Sequence, residues 1–189
     1  SDPESLDPHK ARSTQAAEIL RDIGEGLMTY SVSGDLGGGV AESWEISADG
    51  LTYTFKLRET ARWSTGDAVT AEQFVFSLRR LVDPATAAFY AQALAGLSNA
   101  TEIVAGELAP SELGVAAPDS RTLIMTLRQP TPYLLSLLTH PSTFPVHPGS
   151  VEQHGDNFTR PENLQSNGAY RLESREAASV LRLVRNDQY

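Results

Sequence analysis

The chain has no cysteine among its 189 residues. Disulfides, thiolate metal sites and cysteine nucleophiles are thereby excluded within it. No apolar run approaches the roughly 18 residues that a membrane-crossing helix requires, so no such helix is expected. Basic charge is sparse as well: 15 Lys and Arg stand against 24 Asp and Glu, a net charge of −9 with a pI near 4.9. Only Arg79 and Arg80 are adjacent bases, and their helical pattern reads as a solvated face. A nucleic-acid surface needs clustered cations, so nucleic acid is not expected as a partner. Catalytic signatures are missing too. There is no G-x-S-x-G and no H-E-x-x-H, and the glycine run at 34–39, GDLGGG, lacks the G-x-G-x-x-G spacing and reads as a plain loop. The first residues, from Ser1 on, carry no signal-peptide h-region, which fits a removed leader or an engineered start.

What is present is globular. Hydrophobic residues make up 40% and charged residues 21%, enough for one good-sized domain or two small ones. Residues 43–66, SWEISADGLTYTFKLRETARWSTG, hold both tryptophans, Trp44 and Trp63. Between them Tyr53, Phe55 and Leu57 alternate with Thr52, Thr54, Lys56 and Arg58, the period-two pattern of a half-buried strand. Ser47-Ala48-Asp49-Gly50 is turn chemistry, so an antiparallel hairpin is expected.

Helical signals flank it. Residues 14–26 place Ala16, Ile19, Leu20 and Ile23 on one stripe that continues to Leu27, closed by Gly24 and Gly26. In VTAEQFVFSLRRLVDP, 69–84, Thr70 and Gln73 make a capping box and Val69 with Phe74 a hydrophobic staple. Phe74, Leu78, Leu81 and Val82 form the buried face. Asp83-Pro84 ends this helix and opens another, running to about Gly96, on which Tyr90 joins Ala87, Ala91 and Leu94 in one stripe. Residues 113–127 predict two strands around Pro118-Asp119-Ser120, with Leu123, Met125 and Leu127 on one face. A short helix from Thr131-Pro132 through Leu138 is stopped by Pro141. Ser150 and Gln153 suggest a capping box on a further short helix, and 169–174 with 179–186 a final hairpin. Helices and strands mix without regular alternation, which predicts a mixed α/β fold of the α+β kind.

No reaction can be argued from these residues alone. His140, His147 and His154 are spaced seven apart, but Pro141, Pro145 and Pro148 forbid the helix that would align them, so no metal is expected. The carboxylate pairs Asp22/Glu25 and Glu173/Glu176 read as solvated surface. Asn99-Ala100-Thr101 and Asn157-Phe158-Thr159 match the glycosylation acceptor pattern, idle without the right compartment.

A resemblance goes further. SLDPHK (5–10), EGLMTY (25–30), GVAESWEIS with DG and TYTFKLR (39–58), ARWSTGDAVTAEQFVFSLRRLVDPATAAFYA (61–91), LGV to MTL (113–127), P-x-PYLLSLLTHPS with FPV (130–146) and NGAYRL (167–172) occur in one order. In that order they resemble the oligopeptide-binding proteins of the extracellular solute-binding protein family 5. These are periplasmic or lipid-anchored receptors that hand peptides to an ABC importer.

The resemblance implies the N-terminal lobe of a bilobal periplasmic-binding-protein-like fold, class II, with an extra inserted subdomain. Residues 1–24 with 149–189 would form the base of that lobe and 25–148 the insertion, whose small core both tryptophans would hold. The C-terminal lobe, which carries the acidic partner of the peptide's amino terminus, would lie outside this chain. Such receptors do no chemistry and need no cofactor. Implied partners are di- to oligopeptides and the permease subunits, with the receptor itself a monomer. From this half, Ser13 and Thr14 would present backbone groups to the peptide, Tyr90 would pack against it, and His140 would border a side-chain pocket. The same lobe also serves receptors for murein peptides, nickel or haem, and ligand-sensing transcription regulators. Gly38 replaces a usual Pro, and Thr65 and Ala68 replace a usual Asp or Asn and a Pro, changes expected to loosen loops.

Overall fold

A computed structural model describes residues 2–189. Its framework is a four-stranded antiparallel sheet ordered β3-β4-β6-β5: β3 (Ala41–Ile46), β4 (Thr52–Leu57), β5 (Val115–Asp119) and β6 (Thr122–Thr126). The alternation at 52–58 does what it predicts. Tyr53, Phe55 and Leu57 are buried while Lys56 faces out, its Nζ donating to Thr122 Oγ1 at 2.9 Å. Gly50 takes φ +72° in the tight turn between β3 and β4, which a β-carbon would strain. Pro118 has no N–H to give a ladder and is tolerated because β5 is an edge strand; the register shifts there, between Ala116 and Asp119.

Across the buried face lies α2 (Ala71–Val82), with Phe74, Leu78, Leu81 and Val82 buried. Its capping box is present as expected: Thr70 Oγ1 accepts from the Gln73 amide, and Gln73 Oε1 from the Thr70 amide at 2.9 Å. The same Oε1 accepts from Trp63 Nε1 at 2.8 Å, so the cap also fixes the tryptophan. Trp63 is 1% exposed and central to this core; Trp44 is only half-buried and packs against its edge.

The remaining elements are short. They are β1 (Met28–Tyr30) and β2 (Leu36–Gly38), a two-stranded hairpin, then α3 (Ala100–Val104), α4 (Leu134–Leu137) and α5 (Pro148–His154). The glycine run at 34–39 is therefore partly a strand, since Gly37 and Gly38 pair with Thr29 and Met28. A β-carbon at Gly38 would stand 2.0 Å from the Ala41 carbonyl oxygen. Glycine is what lets the chain fold back there.

A second, smaller core gathers Ala11, Ala16, Leu20 and Ile23 of α1 (Thr14–Ile23) and its approach, with Leu164 and Leu183 against them. β7 (Tyr170–Glu176) and β8 (Val180–Arg185) form a separate hairpin beside α1 and do not join the four-stranded sheet.

Two helical expectations fail. The helix expected from Pro84 to about Gly96 is two 3₁₀ turns, Pro84–Thr86 and Ala91–Leu94, separated by Ala87 at φ +53°. Its stripe is mostly alanine, which buries too little area to hold a helix against the pull of the core on Leu94 and Leu97. The short helix near Ser150 begins earlier, because Pro148 is pre-set for the first turn. His147 caps it, Nδ1 accepting from the Ser150 amide at 3.2 Å, while Ser150 Oγ donates to the Asn163 carbonyl at 2.6 Å.

Candidate functional site

The loop that leads into α1 is held from below. Arg80 grips Asp7 with both guanidinium nitrogens, at 2.9 and 2.7 Å. Arg80 also donates to His9 Nδ1 at 2.6 Å, and His9 Nε2 lies 3.3 Å from the Phe144 carbonyl oxygen. A carbonyl can only accept, so Nε2 carries the proton and the ring is neutral. Burial pushes the His9 pKa down to about 4; Asp7 opposes that fall and Arg80 adds to it. For Asp7 itself burial is the largest influence and acts upward, but the bonds and charge of Arg80 together with His9 outweigh it, and the carboxyl ends below its usual range. Arg80 is thus no solvated base. Its side chain is 14% exposed and lies 5.3 Å over the Phe158 ring. Glu25, likewise expected at the surface, is buried against Arg58 at 2.7 Å and accepts from the Tyr189 hydroxyl.

Above this support sits a small pocket. Ser13 caps α1, its Oγ accepting from the Ala16 amide at 3.1 Å. Ser13, Tyr90 and His140 line the pocket together with Pro8, Ala11, Ala17, Leu20 and Pro141. Thr14 is the first helical residue, exposed, and does not reach it. Tyr90 and His140 meet edge to face, centroids 4.7 Å apart, and Phe89 meets Tyr90 edge to face as well, at 4.8 Å. His140 is fixed in turn: Nδ1 lies 2.7 Å from Ser142 Oγ and accepts from the Ser142 amide at 3.2 Å. Burial, with Arg21 assisting, pushes its pKa down, so the ring is neutral near pH 7.

The pocket holds only about 20 Å³ of room, one water's worth. That is a wall with a dimple, not an enclosed site. A wider concavity of about 690 Å³ lies elsewhere, between α2 and β5, bordered by Val75, Phe76, Arg79 and Val115. None of the four expected residues touches it. Among the described residues, no three His, Cys, Asp or Glu side chains converge to hold a metal.

Sequence reasoning missed Phe89, Ser142 and Glu4. The Glu4 carboxylate accepts from the Arg12 amide at 2.5 Å and the Ser13 amide at 2.9 Å, and the Ser13 hydroxyl donates to its other oxygen. Nothing local in SDPESLDPHK marks Glu4 for that role, because the contact spans eight to nine positions.

The pattern of the bacterial extracellular solute-binding proteins, family 5 Middle, matches residues 35–189. The chain belongs to that family. Among its relatives, the periplasmic oligopeptide-binding protein OppA of Salmonella typhimurium is 44% identical, and the periplasmic murein peptide-binding protein MppA of Escherichia coli is 42% identical. Each alignment covers 100% of this chain and 35% of the relative, so the chain spans about a third of their length. The crystal structure of Haemophilus influenzae OppA in complex with RPPGFSPFR superposes with a TM-score of 0.97 at 43% identity, over 100% of this chain and 37% of that one. The mixed helix and strand architecture is that of the family's solved structures.

Proposed function

We propose that this chain is one wall of a peptide receptor that serves an ABC importer and performs no chemistry. A single observation carries the reading: Ser13, Tyr90 and His140, far apart in sequence, border one pocket on the loop at residues 12 and 13, in a chain 44% identical to an oligopeptide-binding protein. An extended peptide would lie along this edge, its main chain bonding the loop and its side chains meeting Tyr90 and His140. Thr14 would contribute through its backbone alone.

The two hydrophobic cores support a division into a base, 1–24 with 149–189, and an insertion, 25–148, with the opposite wall supplied by a second lobe. In this reading the receptor is a monomer outside the cytoplasm, periplasmic or lipid-anchored, and docks on permease subunits when closed. A murein peptide is a ligand of the same chemistry, and the likeness to MppA favours it as the second reading.

One wall without its partner leaves the ligand half solvated. Calorimetry on these residues with a tripeptide, Ni²⁺ and haem in turn should give heat from the peptide alone, with a Kd no tighter than about 1 mM. Saturable binding of nickel or haem in place of peptide would overturn the reading.

A further inference from the structure

The loop at 12–13 already has an occupant. The Arg12 and Ser13 amides precede the first helical residue, and both point at one oxygen of Glu4, while the Ser13 hydroxyl holds the other. We propose that Glu4 is an internal competitor for the peptide: its carboxylate fills the main-chain donors that a peptide carbonyl would use, and ligand must displace it. This rests on the peptide-binding reading above and adds a regulating residue to it.

Three features favour displacement over a fixed structural bond. Glu4 is exposed, so its carboxylate can turn out to water without leaving an uncompensated charge. The backbone beside it stays put, since Arg175 donates to the Pro3 carbonyl at 2.6 Å; only the side chain has to rotate. On the other side Asp7 is clamped by Arg80, so the loop keeps its shape when Glu4 leaves. The bond from Ser13 above all holds the Glu4 carboxyl down to about 2, so the occupant remains charged throughout the ordinary pH range. A charged acceptor binds amides more strongly than a peptide carbonyl does, which sets a threshold on weak ligands.

The test uses the ¹⁵N-labelled chain, its Glu4→Ala variant and a Glu18→Ala variant. Glu18 is an exposed carboxylate on α1 that makes the same charge change away from the loop. Each is titrated with tri-alanine and followed by amide shifts. Glu4→Ala should bind on the order of tenfold more tightly, with Glu18→Ala unchanged from the parent. Equal affinity in all three, equal tightening in both variants, or weaker binding by Glu4→Ala would each overturn the proposal and leave the peptide reading standing. No shift at residues 12–14, Tyr90 or His140 in any of them would overturn both together.

Discussion

Breaking the Asp7–Arg80 pair leaves a charge where water cannot reach it. Arg80→Ala should therefore cost about 3–5 kcal/mol in urea unfolding. Arg79 is one position away and makes a single 3.2 Å bond, to the Ser111 carbonyl, so Arg79→Ala should cost under about 1 kcal/mol. Comparable losses in the two would remove the clamp. His9 adds a pH dependence of definite sign. Unfolded, it takes a proton near 6.5; folded, only at about 4. Unfolding therefore draws in a proton between those values, and stability present above the upper one falls as pH drops through the window, by up to about 3 kcal/mol from this group. Denaturation curves at pH 7 and pH 4.5 check this, and equal stability at the two would contradict it. Tyr90 stands apart from these residues. It is half-exposed and lies outside both cores, so Tyr90→Ala should weaken tripeptide binding by about 1–2 kcal/mol with little change in Tm. A stability loss of about 3–5 kcal/mol, as a core aromatic would show, would take it off the wall.

At the scale of elements, periodicity and caps carried well where large apolar residues repeat. β4 and α2 follow their patterns because Phe55, Leu57, Phe74 and Leu78 each bury a large side chain in the same core. The segment after Asp83 defied its pattern because alanines define its stripe, and the turn at Ala87 aims Tyr90 at His140. Arg80 and Glu25 were illegible for a different reason: their partners Asp7 and Arg58 are 73 and 33 positions away, and charge alone does not tell a buried pair from a solvated face. Of the wall, Ser13, Tyr90 and His140 were named from family motifs, not from the residues' own chemistry. Thr14 is the first residue of α1, since the serine before it takes the cap. The Thr70 box tests whether local signals have energetic content. Thr70→Ala should cost about 1 kcal/mol, and it frees Gln73, whose Oε1 also accepts from Trp63, so tryptophan fluorescence should shift as well. A silent substitution would mean that the core alone sets the start of α2.

For the whole molecule the proposed function implies a surface that recognises little on its own. Two cores are joined through buried polar bonds: Arg80 to Asp7, Ser77 Oγ to the Val146 amide at 2.9 Å, and Asn167 to the backbone of Glu25 at 2.9 and 3.1 Å. Such links hold the loop at Asp7, the segment at Val146 and the turn at Glu25 against their neighbours. The pocket with Tyr90 and His140 sits where the loop above Asp7 meets the segment that follows Leu138. The central claim is that a peptide lies along this edge and not in the roomier groove between α2 and β5. A tripeptide carrying a nitroxide spin label, titrated at millimolar concentration into the ¹⁵N-labelled chain, tests it most directly. Amide signals of residues 12–14, 89–90, 140 and 142 should broaden selectively, while those of Phe76, Arg79 and Ala116 stay sharp. Broadening centred on that groove, with 12–14 unaffected, would contradict the account.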